Sequence, residues 1–142
     1  MALVTPSTKI EEVIPAIVRR GRPIKTNGHA SLVGTVSQNV VVPPMSAGMP
    51  SGVWSEKSVK VVKERYLLKN DVGEVVETPD QMVWRVAWDI ACAEASYGYS
   101  YEQILEVAKK YYEVLARHEF LPNSPTLANA GKNNGLQYSA CF

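Results

Sequence analysis

Thr78-Pro79-Asp80-Gln81-Met82-Val83-Trp84-Arg85-Val86-Ala87-Trp88-Asp89-Ile90-Ala91-Cys92 carries the strongest local signal in the chain. Thr78 can accept a hydrogen bond from an early backbone N–H. Pro79 suits the first helical position, where its missing donor costs nothing, and Gln81 can reach back to the capping residue. Met82, Val83, Val86, Ile90 and Ala91 then recur at helical spacing, which predicts a helix to about Ser96 with those residues on its buried face. Tyr97-Gly98-Tyr99 breaks the pattern. Ser100 and Gln103 repeat the capping box, and a further helix runs to about Arg117 with Ile104, Leu105, Ala108, Tyr111, Tyr112 and Leu115 on its inner side.

Upstream, Ser55 can cap a helix from about Glu56 to about Tyr66, with Val59, Val62 and Tyr66 sharing a face. Between the two helices, Tyr66-Leu67-Leu68-Lys69 and Glu74-Val75-Val76-Glu77 flank Asn70-Asp71-Val72-Gly73. Gly73 can take positive φ, so a short hairpin is predicted. Residues 54–120 thus read as a helical domain. Residues 1–53 read as an extended arm, because prolines and glycines interrupt every apolar run; a brief helix over Ile10 to Val18 and a strand over Ser31 to Val42 are its two candidate elements. After Phe120 the helical pattern stops. Leu121 to Gly131 has a loop's composition, and the alternation in the last six residues, Gln137-Tyr138-Ser139-Ala140-Cys141-Phe142, suggests the start of a strand.

The chain has 142 residues, 46% of them apolar, enough for one modest core. Its formal net charge is +1, so no global field favours nucleic acid or anionic lipid. No apolar run approaches the roughly 20 residues of a membrane span, and the start lacks a secretory pattern. A cytoplasmic location is the expectation. Cys92 and Cys141 show no zinc-ligand spacing, so no metal site is expected.

Several stretches resemble one family, the adenosylcobalamin-dependent (class II) ribonucleotide reductases. They are Tyr66-Leu67-Leu68-Lys69, Glu77-Thr78-Pro79-Asp80-Gln81-Met82, Arg85-Val86-Ala87, Phe120-Leu121-Pro122-Asn123-Ser124-Pro125-Thr126-Leu127, Asn129-Ala130-Gly131 and Ser139-Ala140-Cys141-Phe142. The resemblance runs from about Trp54 to Phe142; the residues before it do not resemble the ATP-binding cone that some relatives carry. It implies a mainly α amino-terminal region leading into the first strand of a ten-stranded α/β barrel, with residues 121–142 as substrate loop and strand start. It also implies conversion of ribonucleotides to deoxyribonucleotides for DNA synthesis, through a protein thiyl radical generated from adenosylcobalamin.

By this resemblance Cys141 is one of two thiols that reduce the ribose, its mate lying on a later strand. Such a pair must bridge with Cα atoms within ~7 Å and be regenerated by thiol–disulfide exchange. Ser124 would contact the substrate, a ribonucleoside di- or triphosphate, and Ala140 would leave room for the sugar beside the sulfur. Ser124 sits in a proline-flanked segment rich in hydroxyl and N–H donors, a composition suited to phosphate oxygens. The thiyl-forming cysteine and the cobalamin site would lie in the remainder of the reductase, so the chain is expected to be inactive alone and to need that remainder and a thioredoxin-type reductant.

Each of these residues has a plainer reading. Cys141 could be a small buried hydrophobe, and Ser124 a turn former. Cys92, mid-helix among Ile90, Ala91 and Ala93, reads as inert packing. His118 reads as a partner for helix-end carbonyls, His29 as an arm residue, and Tyr97, Tyr99, Tyr101, Tyr111 and Tyr112 as packing rather than a radical path. Arg19-Arg20-Gly21-Arg22-Pro23-Ile24-Lys25 resembles a single AT-hook, which defines the competing reading: a small helical binding module with a DNA-contacting arm. One copy on a near-neutral chain disfavours it.

Overall fold

A computed structural model of the chain describes residues 24–26, 29–31, 41–132, 134 and 136–139. Strands β1 (Ile24–Thr26) and β2 (His29–Ser31) pair antiparallel, with Lys25 opposite Ala30. The candidate helix at Ile10 to Val18 and most of the candidate strand at Ser31 to Val42 lie outside the described residues. Residues 41–53 contain neither helix nor strand.

The body of the domain is helical. Helix α1 (Glu56–Arg65) starts where the Ser55 hydroxyl accepts from the Ser58 N–H at 3.2 Å. The predicted hairpin then appears in reduced form, with a single bridge between Lys69 and Val75. Its turn is built by Asn70, whose side-chain oxygen accepts from the N–H groups of Val72 (3.2 Å) and Glu74 (2.8 Å), while Gly73 takes φ +84°.

Helix α2 (Pro79–Ala91) opens on the predicted reciprocal cap, Gln81 N–H to the Thr78 hydroxyl at 3.2 Å and Thr78 N–H to Gln81 Oε1 at 2.8 Å. It tightens into a 3₁₀ helix at Cys92–Tyr97, which Gly98 ends in the left-handed region. Ser100 and Gln103 cap α3 (Tyr101–Ala116) in the same way.

The amphipathic reading of α2 is only partly right, since nine of its 13 residues are buried, among them Trp84, Arg85, Trp88 and Asp89. Helix α3 covers one side. Residues 43–54 cover another: Trp84 Nε1 donates to the Pro43 carbonyl at 2.7 Å, and the Tyr112 hydroxyl to the Pro50 carbonyl at 2.7 Å. The Trp54 indole and the Gly52 N–H both donate to Asp80, at 2.8 and 3.0 Å. Inside, Trp84 lies 6.3 Å from Trp88 and 6.2 Å from Tyr112, and Trp88 lies 5.5 Å from Tyr101, centroid to centroid. Each such buried aromatic or aliphatic side chain contributes about 1.5–3 kcal/mol through removal of apolar surface from water.

Two residues assigned inward by spacing are not. Ile90 and Tyr111 are 37% and 38% exposed and line an apolar groove with Val114, Phe120 and Pro122. The groove runs between α2, α3 and residues 120–122, and its rim stays exposed among the described residues. Among the described residues no helix is long and apolar enough to cross a membrane.

Candidate functional site

Residues 121–131 read as a loop from composition, yet they contain a helix, α4 (Ser124–Asn129). The Asn123 side chain accepts from the Thr126 N–H at 3.3 Å, and Pro125 falls in the first turn, where a missing donor is tolerated. Prolines that suggested an irregular segment are therefore compatible with a helix start.

Ser124 opens this helix with its side chain exposed, and its Oγ accepts from the Tyr66 hydroxyl at 3.1 Å. Because the oxygen is the acceptor, the Ser124 proton can still be donated to a ligand. Both residues line a cleft of about 610 Å³ walled by Trp54, Val62, Met82, His118 and Leu127, with Lys57 and Ser58 at its polar margin. His118 adopts φ +57°, its N–H bonds the Leu115 carbonyl at 3.1 Å, and its ring sits edge-on to Trp54 at 4.9 Å. It follows the α3 C-cap, Arg117, and bonds a helix-end carbonyl through its backbone N–H, while its ring packs on Trp54 rather than on the carbonyls expected from its position.

Cys141 and Ala140 lie outside the described residues; the chain leading to them is described as far as Ser139. No strand forms over 136–139. Instead, side chains hold this segment to the helices. The Tyr138 hydroxyl donates to Asp89 Oδ2 on α2. The Thr126 hydroxyl stands between Asn123 Oδ1 at 2.5 Å and the Tyr138 carbonyl at 2.9 Å, and Asn129 Nδ2 donates to the Gln137 carbonyl at 3.0 Å.

Arg85, one turn before Asp89, anchors the preceding stretch. Its guanidinium pairs with Glu77 through Nε–Oε2 (3.1 Å) and Nη2–Oε1 (2.9 Å), both side chains almost wholly buried, and Nη1 donates to the Ala130 carbonyl. Lys132 Nζ donates to the Tyr66 carbonyl at 2.7 Å. Burial, then the Arg85 charge, holds the Lys132 ammonium below its usual pKa.

The electrostatics follow from the same burial. Desolvation pushes the Asp89 carboxyl above its ordinary value, against the opposing effects of Tyr138, the Gly131 backbone and the Arg85 charge. Tyr138 is raised by burial and by its bond to Asp89. Asp89 Oδ1 and Trp88 Nε1 are buried with no hydrogen-bond partner among the described residues. Cys92 is buried and its thiol is pushed up to about 12, mainly by desolvation, which fits inert packing. Among the described residues no three His, Cys, Asp or Glu side chains form a metal-binding group.

Sequence reasoning did not find Asp89 and Tyr138, and met Arg85 only as part of a resemblance. The available signal was two opposite charges at i and i+4 inside an otherwise apolar helix, where each needs a partner from another segment.

Comparison with known proteins gives the family. The model of the ribonucleotide reductase all-alpha domain matches residues 55–135, and the chain belongs to that family. Among curated proteins it is 31% identical, over a 138-residue alignment covering 60% of this chain and 18% of the relative, to a vitamin B12-dependent ribonucleoside-diphosphate reductase of Thermoplasma acidophilum. It is 38% identical over 85 residues to a protein of the same description from Mycobacterium tuberculosis, covering 60% of this chain and 12% of that one. It is also 32% identical over 84 residues, 59% of this chain and 10% of the relative, to the ribonucleoside-diphosphate reductase subunit alpha of Helicobacter pylori strain J99. The chain thus spans less than a fifth of the length of these relatives, and the two B12-dependent ones support the class II assignment. No solved structure matches.

Proposed function

We propose that this chain is the helical amino-terminal part of a cytoplasmic class II ribonucleotide reductase that supplies deoxyribonucleotides for DNA synthesis. In this reading it provides Ser124 as a substrate contact and Cys141 as one of two reductant thiols. The observation that carries the reading is the family match over residues 55–135, which includes the Ser124 helix. The geometry of Ser124 supports it: the hydroxyl is exposed at a cleft, held by Tyr66, with its proton free to bond a phosphate or sugar oxygen of a ribonucleoside di- or triphosphate.

In each turnover a hydrogen replaces the ribose 2′-hydroxyl, water leaves, and two thiols lose one electron pair to become a disulfide; an external dithiol of the thioredoxin type then reduces that disulfide. The radical that starts the reaction is a thiyl on a cysteine of the remainder of the reductase. Adenosylcobalamin would supply it when bound, and the cleft beside Ser124 does not fit that cofactor. The 610 Å³ cleft is of the size that takes drug-like ligands, roughly 300–1,000 Å³, and is mostly apolar, so we assign the corrinoid to the remainder.

The test is reconstitution. The chain is mixed with the complementary remainder, adenosylcobalamin, a ribonucleotide and a thioredoxin-type dithiol, and deoxyribonucleotide is measured. Activity that requires both polypeptides, and that Cys141→Ser abolishes, is the expected result. A mixture that stays inactive, or a Cys141→Ser chain that supports full turnover, counts against the proposal. A salt-sensitive shift of A·T-rich duplex, lost on changing Arg20 and Arg22, would favour the competing binding-module reading; both arginines lie outside the described residues.

A further inference from the structure

Among the described residues just before Cys141, 136–139, none is part of a strand ladder. Residues 136–139 are neither helix nor strand, and side-chain bonds from α2 and α4 tie Gln137 and Tyr138 to the helices. The deepest of these is unusual in what it costs. Asp89 is 1% exposed, one of its carboxylate oxygens has no partner among the described residues, and the other accepts from Tyr138. Beyond that phenol, the Gly131 backbone and the Arg85 charge offset the cost of burying the carboxylate only in part, whereas a Leu facing a Phe would bury similar area without that cost. Local rules broken in this way mark sites where geometry matters beyond stability.

Tyr138 is held at two points, its hydroxyl by Asp89 and its carbonyl by the Thr126 hydroxyl at 2.9 Å, which shares its one proton with Asn123 Oδ1, while Asn129 holds the carbonyl of Gln137. Two residues, Ser139 and Ala140, separate Tyr138 from Cys141, and the three residue steps span at most about 10–11 Å of extended chain. A thiol that must meet both a sugar and a second sulfur tolerates little positional error, since about 1 Å of misplacement can lower a rate 100-fold.

We infer that Asp89 and Tyr138 are positioning residues for ribonucleotide reduction, with Thr126 and Asn129 as their supports, fixing the chain at Gln137 and Tyr138 shortly before Cys141. The inference rests on the reading of Cys141 given above.

The experiment uses the reconstituted reductase, prereduced and given no external reductant, so that the product formed reports delivery from the thiol pair alone. The Asp89→Leu/Tyr138→Phe double variant is expected to form product at least tenfold more slowly at saturating nucleotide, with KM within about twofold of the parent and a thermal midpoint no lower. Asp89→Asn, which keeps a carbonyl acceptor for the phenol, is expected to restore most of the rate that Asp89→Leu loses. A folded double variant that reacts at the parent rate overturns the inference. If the double variant does not fold, Thr126→Val removes the hold on the Tyr138 carbonyl, and the same split between rate and KM is expected; an unchanged rate there also overturns it. Cys141→Ser separates the two claims: if it is inactive while the double variant is fast, the inference alone falls, and if it is fully active the reading of Cys141 falls.

Discussion

Gly131 lies against Arg85 so closely that a Cβ on the glycine would stand 2.5 Å from Arg85 Cγ and 3.2 Å from its carbonyl oxygen. The glycine also has φ +69°, which L side chains rarely adopt. This approach lets the chain after α4 turn across α2, so that the Ala130 carbonyl meets the guanidinium while residues 137 and 138 reach their own partners. Gly131→Ala combines left-handed strain with overpacking and should lower stability by about 2–3 kcal/mol. A urea titration followed by tryptophan fluorescence checks it, with a midpoint equal to the parent's as the contrary result.

The Glu77–Arg85 pair is nearly excluded from water. Removing one partner strands the other charge, so Glu77→Ala should cost about 3–5 kcal/mol, whereas replacing both with apolar residues of similar size should cost much less. Equilibrium unfolding of both variants measures the difference. Equal losses in the single and double variants would show that the guanidinium's other bonds, to Ala130 and Tyr66, dominate.

Asp89 makes stability depend on pH in a stated direction. Its folded pKa is raised, so the folded state holds the proton more tightly than the unfolded chain. The associated stability is fully present below the unfolded carboxylate value of about 3.9 and is lost as pH rises through the higher folded value. Asp89→Asn should therefore flatten the decline as pH rises above about 4 while Arg85 and Tyr138 stay in place. Urea midpoints across that range decide it, and parallel curves for parent and variant would contradict the assignment.

Cys92 should be chemically silent in the folded chain. With its thiol pushed up to about 12, almost no thiolate exists near pH 8, and the side chain is buried. Iodoacetamide at pH 8 should leave the Cys92 peptide unmodified until denaturant is added, as read by peptide mass. The sign in alkali is also fixed: the raised value stabilises the fold below the ordinary thiol range and that contribution disappears as pH climbs toward 12, so Cys92→Ala should make alkaline unfolding less steep.

Helix caps offer a simpler check of local encoding. Thr78→Ala and Ser100→Ala each remove a side-chain acceptor from a capping box seen in the structure, and each should cost about 1 kcal/mol. Thermal unfolding of the two variants and their combination tests this, near-additivity being expected because the caps start different helices.

Much of the helical body was legible in residue order. The starts of α1, α2 and α3 were readable because Ser55, Thr78 and Ser100 bond to backbone groups only three residues away, and such contacts need no knowledge of distant chain. The Asn70 to Gly73 turn was readable for the same reason. Helix α4 was misread because Pro122 and Pro125 mark irregular chain as readily as a first helical turn, and the Asn123 cap was needed to choose between them. Ser124 could be singled out as a hydroxyl in a suggestive motif, but not its hydrogen bond to Tyr66, 58 positions earlier.

Local chemistry thus fixed where helices begin and which short turns join them, since each of those choices is made within a few residues. Folding in three dimensions settled which faces of α2 are covered, that Arg85 and Asp89 are interior groups, and that the Tyr138 hydroxyl reaches Asp89. Those outcomes depend on partners 45 and 49 positions away, and helical period carries no record of which distant segment will arrive to cover a charge.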